Sequence, residues 1–223
     1  MTKIAIVYFS NFKGNTETLA KAVMRGAQSV ADTEVTLIHT DDVDTHWQTL
    51  HDSDAIIFGT PTYIGSVAAK FKEFIEKLAG EVWLKRMWMN KVSGGFTVSA
   101  GRSGDKLTCL QQLVTFASQM GMIWVPIRIT GGNYSSQGSE EDLNRMAGYL
   151  GVMAQANIDE PAELAPPPSD IRTAELHGNH IANVTRQFAH GRRTHRADYD
   201  EHIDSQQRAS TIPMTLPELM SGQ

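Results

Sequence analysis

The chain is predicted to form a doubly wound α/β sheet. Three observations carry that prediction. Short continuous apolar runs, beginning with Ile4-Ala5-Ile6-Val7-Tyr8-Phe9, alternate five times with stretches of helical character. The runs are rich in Val and Ile and mostly lack polar alternation, the pattern of parallel strands buried on both faces. With 223 residues, 41% of them hydrophobic, the chain can fill one such core and carry additions.

Residues 4–9 read as the first strand. Residues 16–30 carry Leu19, Ala20, Val23, Met24 and Ala27 on one stripe and read as a helix. Residues 34–39 alternate and read as the second strand. Residues 55–59 (Ala-Ile-Ile-Phe-Gly) form the third. Residues 68–78 place Phe71, Phe74, Ile75 and Leu78 on one helix face. Residues 92–99 form the fourth strand; Gly94 and Gly95 inside it predict a close approach by another backbone or a ligand. Residues 105–120 are helical. Residues 123–129 form the fifth strand, with Pro126 implying an edge position or a bulge. Residues 131–168 interrupt the pattern. Within them Met146, Tyr149, Leu150 and Met153 suit either a helix face or a sheet edge. Ser169 or Asp170 then caps a last helix through Ile171, Leu176, Ile181, Val184 and Phe188. After His190 the chain turns polar; residues 191–223 read as a tail, disordered or packed on a neighbouring subunit.

A net charge of −5 gives no support for a nucleic-acid or anionic-membrane partner. The single cysteine, Cys109, rules out an intrachain disulfide and suits a cytoplasmic protein. No apolar run is long enough for a signal or a membrane span. Cys109 reads as a buried small hydrophobe, Trp88 and Trp124 as core, and His177 and His180 as solvated histidines with no metal between them.

Three loops at the carboxyl ends of strands carry the chemistry, where ligands of such sheets sit. The first, Ser10-Asn11-Phe12-Lys13-Gly14-Asn15-Thr16, gathers hydroxyls, amides and a flexible glycine before a helix. That is the composition of a phosphate nest, with none of the glycine and lysine spacing of a nucleotide-triphosphate loop. Thr16 as a simple helix cap explains one residue of it. Lys13 adds charge there or faces solvent. The second, Gly59-Thr60-Pro61-Thr62-Tyr63-Ile64-Gly65-Ser66, reads as a tight loop able to line a flat heteroaromatic ring, or as an ordinary turn. The third, Ser99-Ala100-Gly101-Arg102-Ser103-Gly104-Asp105, offers backbone N–H groups for polar ring atoms or developing negative charge. Its alternative is a glycine-rich turn capped by Ser103 or Asp105.

On "FSNFKGNTETLA", "FGTPTYIGSVAAKFKEFIE", "SAGRSGD" and "GMIWVPI" the chain resembles flavodoxin-fold flavoproteins, above all the WrbA-like NAD(P)H:quinone oxidoreductases and the related NADPH-dependent FMN reductases. The resemblance spans about residues 3–190. It implies a five-stranded parallel sheet of order 2-1-3-4-5 in a domain of residues 1–190, with an insertion of about 131–168 after or within the fifth strand. It implies bound FMN, its phosphate in the Ser10–Thr16 loop and its ring against Pro61, Thr62, Tyr63, Ile64 and Gly65 and against Ser99, Ala100, Gly101, Arg102, Gly104 and Asp105. Family loops of the first kind carry one residue fewer, so Ser10 and Asn11 both remain candidates for the phosphate contact. The resemblance also implies NAD(P)H as co-substrate, a quinone-like acceptor, ping-pong hydride transfer through the flavin with no named catalytic side chain, and a homo-oligomer, tetramer or dimer. Trp83, Asn133 and Tyr134 are candidates for substrate or subunit contacts. A flavodoxin-type electron carrier without its own substrate and a non-catalytic module are the alternative readings.

Overall fold

A computed structural model describes residues 1–161 and 163–194. In chain order it contains β1 (Thr2–Tyr8), α1 (Asn15–Gln28), β2 (Thr33–His39), a 3-10 turn (Thr40–Thr45), α2 (Trp47–Asp52), β3 (Ala55–Tyr63), β4 (Ser66–Val67), α3 (Ala69–Lys77), α4 (Glu81–Leu84), β5 (Val92–Ser99), α5 (Lys106–Gln119), β6 (Ile123–Trp124), β7 (Val152–Gln155) and α6 (Pro168–Thr194). The sheet runs β2-β1-β3-β5-β6, with β7 also on β5 and β4 on β3. All pairs along that path are parallel. This is the flavodoxin-like order expected from the sequence.

The side-chain alternation of β1 divides the core. Ile4 and Ile6 point to one face, with Leu19 and Val23 of α1 and Ile181 of α6. Ala5 and Val7 point to the other, with Phe71 and Phe74 of α3 and Leu110 and Leu113 of α5. Trp88 is fully buried on that second face and donates its indole N–H to His51 Nδ1 at 3.2 Å. Trp124 is half-buried and donates to the Leu150 carbonyl at 2.7 Å. Cys109 is buried.

Gly94 and Gly95 do mark close approaches, with side chains the nearest neighbours and backbone oxygens of Val125 and Phe58 just beyond. A Cβ on Gly94 would sit 2.5 Å from Ile181 Cδ1, and one on Gly95 would sit 2.8 Å from Trp124 Cη2. Helices α1 and α6 meet almost backbone to backbone, since a Cβ on Gly178 would lie 2.1 Å from the Val23 carbonyl oxygen. The reading of His177 as solvated is corrected beside that contact: it is 1% exposed, and neither ring nitrogen has a hydrogen-bond partner among the described residues.

The expected fifth strand, 123–129, is much shorter. β6 ends at Trp124, and Val125 makes one more bond to the Ser93 carbonyl at 2.8 Å. Pro126 has no N–H to continue the ladder, and Ile127 bonds to Tyr149 within the insertion instead. The chain returns at β7, pairing Phe96↔Val152 through Ser99↔Gln155. The insertion therefore splits the fifth strand and occupies residues 125–151. Of the residues left open between helix and sheet edge, Met153 lies in β7, while Met146, Tyr149 and Leu150 precede it.

Neither Ser169 nor Asp170 caps α6. The helix starts at Pro168, where a missing N–H costs nothing. Ser169 Oγ instead donates to the Glu140 carbonyl, and Asp170 binds Arg145, so both tie the insertion to the helix. α6 continues to Thr194, past the expected boundary at 190. The rest of the expected tail, 195–223, lies outside the described residues. No described helix is long and apolar enough to cross a membrane.

Candidate functional site

β1 and β3 are paired from Ile4↔Ala55 to Tyr8↔Gly59, yet the helices that follow them pack on opposite faces of the sheet. Such a reversal opens a crevice at the strand ends. A cavity of about 460 Å³ lies there, within the range of roughly 300–1,000 Å³ typical of small-molecule sites. Its lining comes from the first loop (Asn11, Lys13, Asn15, Thr16), from Pro61, Thr62, Tyr63 and Ile64, from Val98, Ser99 and Ala100, and from Ala156 and Ile158 after β7.

The first loop is held open by its own hydrogen bonds. Ser10 N–H donates to His39 Nε2 at 3.3 Å, and Ser10 Oγ accepts from Glu17 N–H at 3.3 Å. Asn11 Oδ1 accepts from Lys13 N–H at 3.0 Å, an Asx turn, and the Asn11 carbonyl accepts from Gly14 N–H at 3.0 Å. Gly14, at φ 77°, then turns the chain into α1. This arrangement leaves the N–H groups of Asn11, Phe12, Asn15 and Thr16 without an acceptor among the described residues. Asn15 Oδ1 is buried with no hydrogen-bond partner among the described residues. Turned end for end, that amide would add its Nδ2 donors. Free donors at the positive end of a helix suit an oxyanion such as a phosphate. Thr16 is buried one residue inside α1, and no N-cap side chain bonds the helix, so the simple-cap reading fails. Lys13 does not extend into solvent: its Nζ donates to the Ile158 carbonyl across the cavity.

The second loop is a hairpin rather than the expected tight loop over 59–66. β3 continues through Pro61 to Tyr63 and pairs back with β4 at Tyr63↔Ser66. Pro61 is tolerated because the β1 pairing has already ended at Gly59. Ile64 (φ 48°) and Gly65 (φ 73°) both lie in the left-handed region, as a two-residue primed turn demands. Ile64 is a β-branched residue strained there, and it is fully exposed at the cavity edge. The Tyr63 hydroxyl accepts from Asn11 Nδ2 at 2.6 Å. Partial burial raises its pKa, and the Asn11 bond works against that rise.

In the third loop the carbonyls are engaged and the N–H groups are not. The Ala100 carbonyl accepts from Gln155 Nε2 at 3.0 Å, and the Gly101 carbonyl from Lys106 Nζ at 2.6 Å. The N–H groups of Gly101, Arg102, Ser103 and Gly104 meet no acceptor among the described residues. Asp105 precedes α5 with φ 53° and makes no side-chain cap. Arg102 binds Glu140 Oε1 at 2.7 Å, and Glu140 also binds the buried Arg145. Arg145 in turn pairs with Asp170. The insertion is thus fastened to this loop and to α6.

Of the sequence-predicted residues, the cavity gathers Asn11, Lys13, Asn15, Thr16, Pro61, Thr62, Tyr63, Ile64, Ser99 and Ala100. Ser10, Gly14, Gly65, Gly101, Gly104 and Asp105 shape its loops without lining it, and Phe12 and Arg102 are exposed beside it. Trp83 in α4 and Tyr134 in the insertion are exposed and outside the lining; Asn133 is bound by Asp142 and Glu140. Sequence reasoning missed Val98, Ala156, Ile158, His39, Gln155 and Lys106. Ala156 and Ile158 could be found only by knowing that the fifth strand resumes at β7. The signal for Lys106 was a basic residue at the start of a helix, where acidic ones are favoured.

Fold and site together define a flavodoxin-like protein with a mononucleotide-sized crevice at the β1/β3 switch. Residues 2–135 match the NADPH-dependent FMN reductase family, and the chain belongs to that family. It is 36% identical over 192 residues to flavodoxin FldP of Pseudomonas aeruginosa, covering 84% of this chain and 99% of the relative. It is 29% identical over 208 residues to an NAD(P)H dehydrogenase (quinone) of Chromohalobacter salexigens, covering 85% of this chain and all of the relative. Among solved structures it resembles a flavodoxin, WrbA-like protein from Agrobacterium tumefaciens. There the TM-score is 0.65 and the identity 35%, over 84% of this chain and 99% of the other.

Proposed function

We propose that the cavity binds FMN and that the protein is an oxidoreductase passing two electrons from NAD(P)H to a quinone-like acceptor. The observation that carries the reading is the paired supply of unused N–H groups: those of Asn11, Phe12, Asn15 and Thr16 in one cavity loop and those of Gly101–Gly104 in another. The first set suits a phosphate, with Asn11 rather than Ser10 on the cavity side. The second suits the polar edge of a flavin ring. Pro61, Ile64, Val98, Ala156 and Ile158 supply apolar surface between them. When bound, FMN would supply the hydride chemistry, with donor and acceptor using the same site in turn.

The protein's part is placement. Asn11 and Tyr63 join the two loops that would hold the phosphate and the ring. The apolar side chains of the lining would keep water from the ring. The free N–H groups of the third loop, next to Ser99 and Ala100 of the lining, would suit negative charge developing on the ring. Trp83 is assigned to a contact with a neighbouring subunit in a homo-oligomer.

The full-length protein, loaded with FMN, should oxidise NADH or NADPH with benzoquinone and give parallel double-reciprocal lines. A flavodoxin-type electron carrier is the second reading, favoured by the 36% identical flavodoxin relative. FMN binding without any NAD(P)H turnover would select it. Failure to bind FMN would exclude both.

A further inference from the structure

Lys106 is fully buried at the first position of α5. A cation there opposes the helix dipole, and a buried charge is costly unless matched. Its Nζ donates to Ser99 Oγ at 2.8 Å and to the Gly101 carbonyl at 2.6 Å. It forms no ion pair with a described residue. The charges that bear on it are Asp170, Arg145 and Asp105. Of these, Asp170 has both oxygens bound by the Arg145 guanidinium and also accepts from Gln155 N–H. Burial lowers the Lys106 pKa to about 8, Asp170 working against the fall, so the group remains mostly cationic at neutral pH.

The loop is wrapped tightly on this ammonium. A Cβ on Gly104 would fall 2.0 Å from Ser99 Oγ and 2.8 Å from the Gly101 carbonyl oxygen. No side chain fits between Gly104 and the two groups that Lys106 holds. Because the peptide is planar and trans, a Gly101 carbonyl turned toward Lys106 turns the Arg102 N–H away from it. Lys106 therefore sets the orientation of a free donor and places a positive charge 2.8 Å from the Oγ of Ser99, which lines the cavity.

We infer that Lys106 is a positioning residue for the reduced cofactor: acting through Ser99 and the Gly101–Arg102 peptide, it favours FMN with negative charge on its isoalloxazine ring over oxidised FMN, whose ring is neutral. The inference rests on the flavin reading above. With FMN bound, hydride transfer would break the nicotinamide C4–H bond, form an N5–H bond on FMN, release NAD(P)⁺ and leave one negative charge in the flavin pyrimidine ring. That charge is the missing counterpart of the buried ammonium.

The test compares full-length wild type, Lys106→Gln and Lys106→Arg. The readouts are the Kd for oxidised FMN, by fluorescence quenching, and the two-electron midpoint potential of the bound flavin. Lys106→Gln should leave the oxidised Kd within about threefold and weaken reduced FMN about tenfold, which lowers the potential by about 30 mV. Lys106→Arg should restore most of the potential. Should Lys106→Gln fail to fold, Lys106→Met, with no polar atom to bury, gives the same comparison. Equal loss of both affinities, with the potential unchanged, would make Lys106 a structural clamp and overturn the inference while leaving FMN binding intact. Absence of FMN binding by the wild type would overturn the inference together with the flavin reading.

Discussion

Asn11 Nδ2 and the Tyr63 hydroxyl lie 2.6 Å apart, joining the loop after β1 to the hairpin after β3 across the point where the sheet reverses its winding. The same Asn11 side chain uses its Oδ1 to accept from Lys13 N–H, so one residue shapes the first loop and fixes the second.

Tyr63→Phe removes that bond and keeps the ring. A partly exposed hydrogen bond contributes about 0.5–1 kcal/mol, so FMN affinity should fall about two- to fivefold in calorimetric titration. The same bond is present in the free protein, so its melting temperature should fall by about 1–4 °C.

Ile64 should show stability and binding pulling in opposite directions. A β-branched residue in the left-handed region costs about 1–2 kcal/mol, whereas Asn-Gly is the favoured pair for this turn. Ile64→Asn should raise the melting temperature of the free protein by about 2–4 °C. It should also weaken FMN binding, because the apolar side chain at the cavity edge is lost. An unchanged melting temperature would show that the turn bears no strain.

His177 makes stability depend on pH. Burial lowers its pKa to about 3, with His180 adding to the fall, from the ordinary 6.5. Above pH 6.5 the ring is neutral in both folded and unfolded chains, so it adds no pH dependence. As pH falls below 6.5 the unfolded chain takes the proton first, and stability drops by about 1.4 kcal/mol per pH unit toward pH 3. In urea titrations from pH 7.5 to 5.5, His177→Leu should therefore lose about 1.4 kcal/mol less than wild type.

Arg145 and Asp170 form a bidentate pair with both side chains 2% exposed. Asp170→Asn removes the buried counter-charge and leaves Arg145 only the exposed Glu140 carboxylate, and should cost about 3 kcal/mol in urea unfolding. The exposed Arg25–Glu175 pair is a control. Glu175→Gln should cost less than about 1 kcal/mol, and that small effect should fade with salt.

Elements whose environment is uniform along their length were legible from residues alone. The continuous apolar runs that open β1 and β3 were legible because burial on both faces removes alternation. The helical stripes of α1, α3 and α5 ended within two residues of the expected bounds, since one face of each packs on the sheet. The fifth strand was misjudged because Val125, Ile127 and Ile129 are apolar in a segment that packs against the core without pairing. A period of two reports burial of a face, and says nothing of which backbone lies alongside. The hairpin at Ile64–Gly65 was hidden for a related reason. Isoleucine is the wrong residue for a positive φ, so turn chemistry pointed elsewhere.

By itself the sequence determined the doubly wound class, the buried strands and the three polar or glycine-rich loops at strand ends, because periodicity and loop composition are local properties. Tertiary structure alone decided which groups those loops leave unpaired. Ser10 is occupied by His39 and Glu17 while Asn11 faces the cavity, Lys13 spans it to Ile158, and Lys106 is buried beneath Ser99 and Gly101. Each of these depends on a partner far along the chain or on a turn of the backbone. Hydrogen-bond satisfaction and burial are set by such neighbours in space, and no spacing of residues along the chain records them.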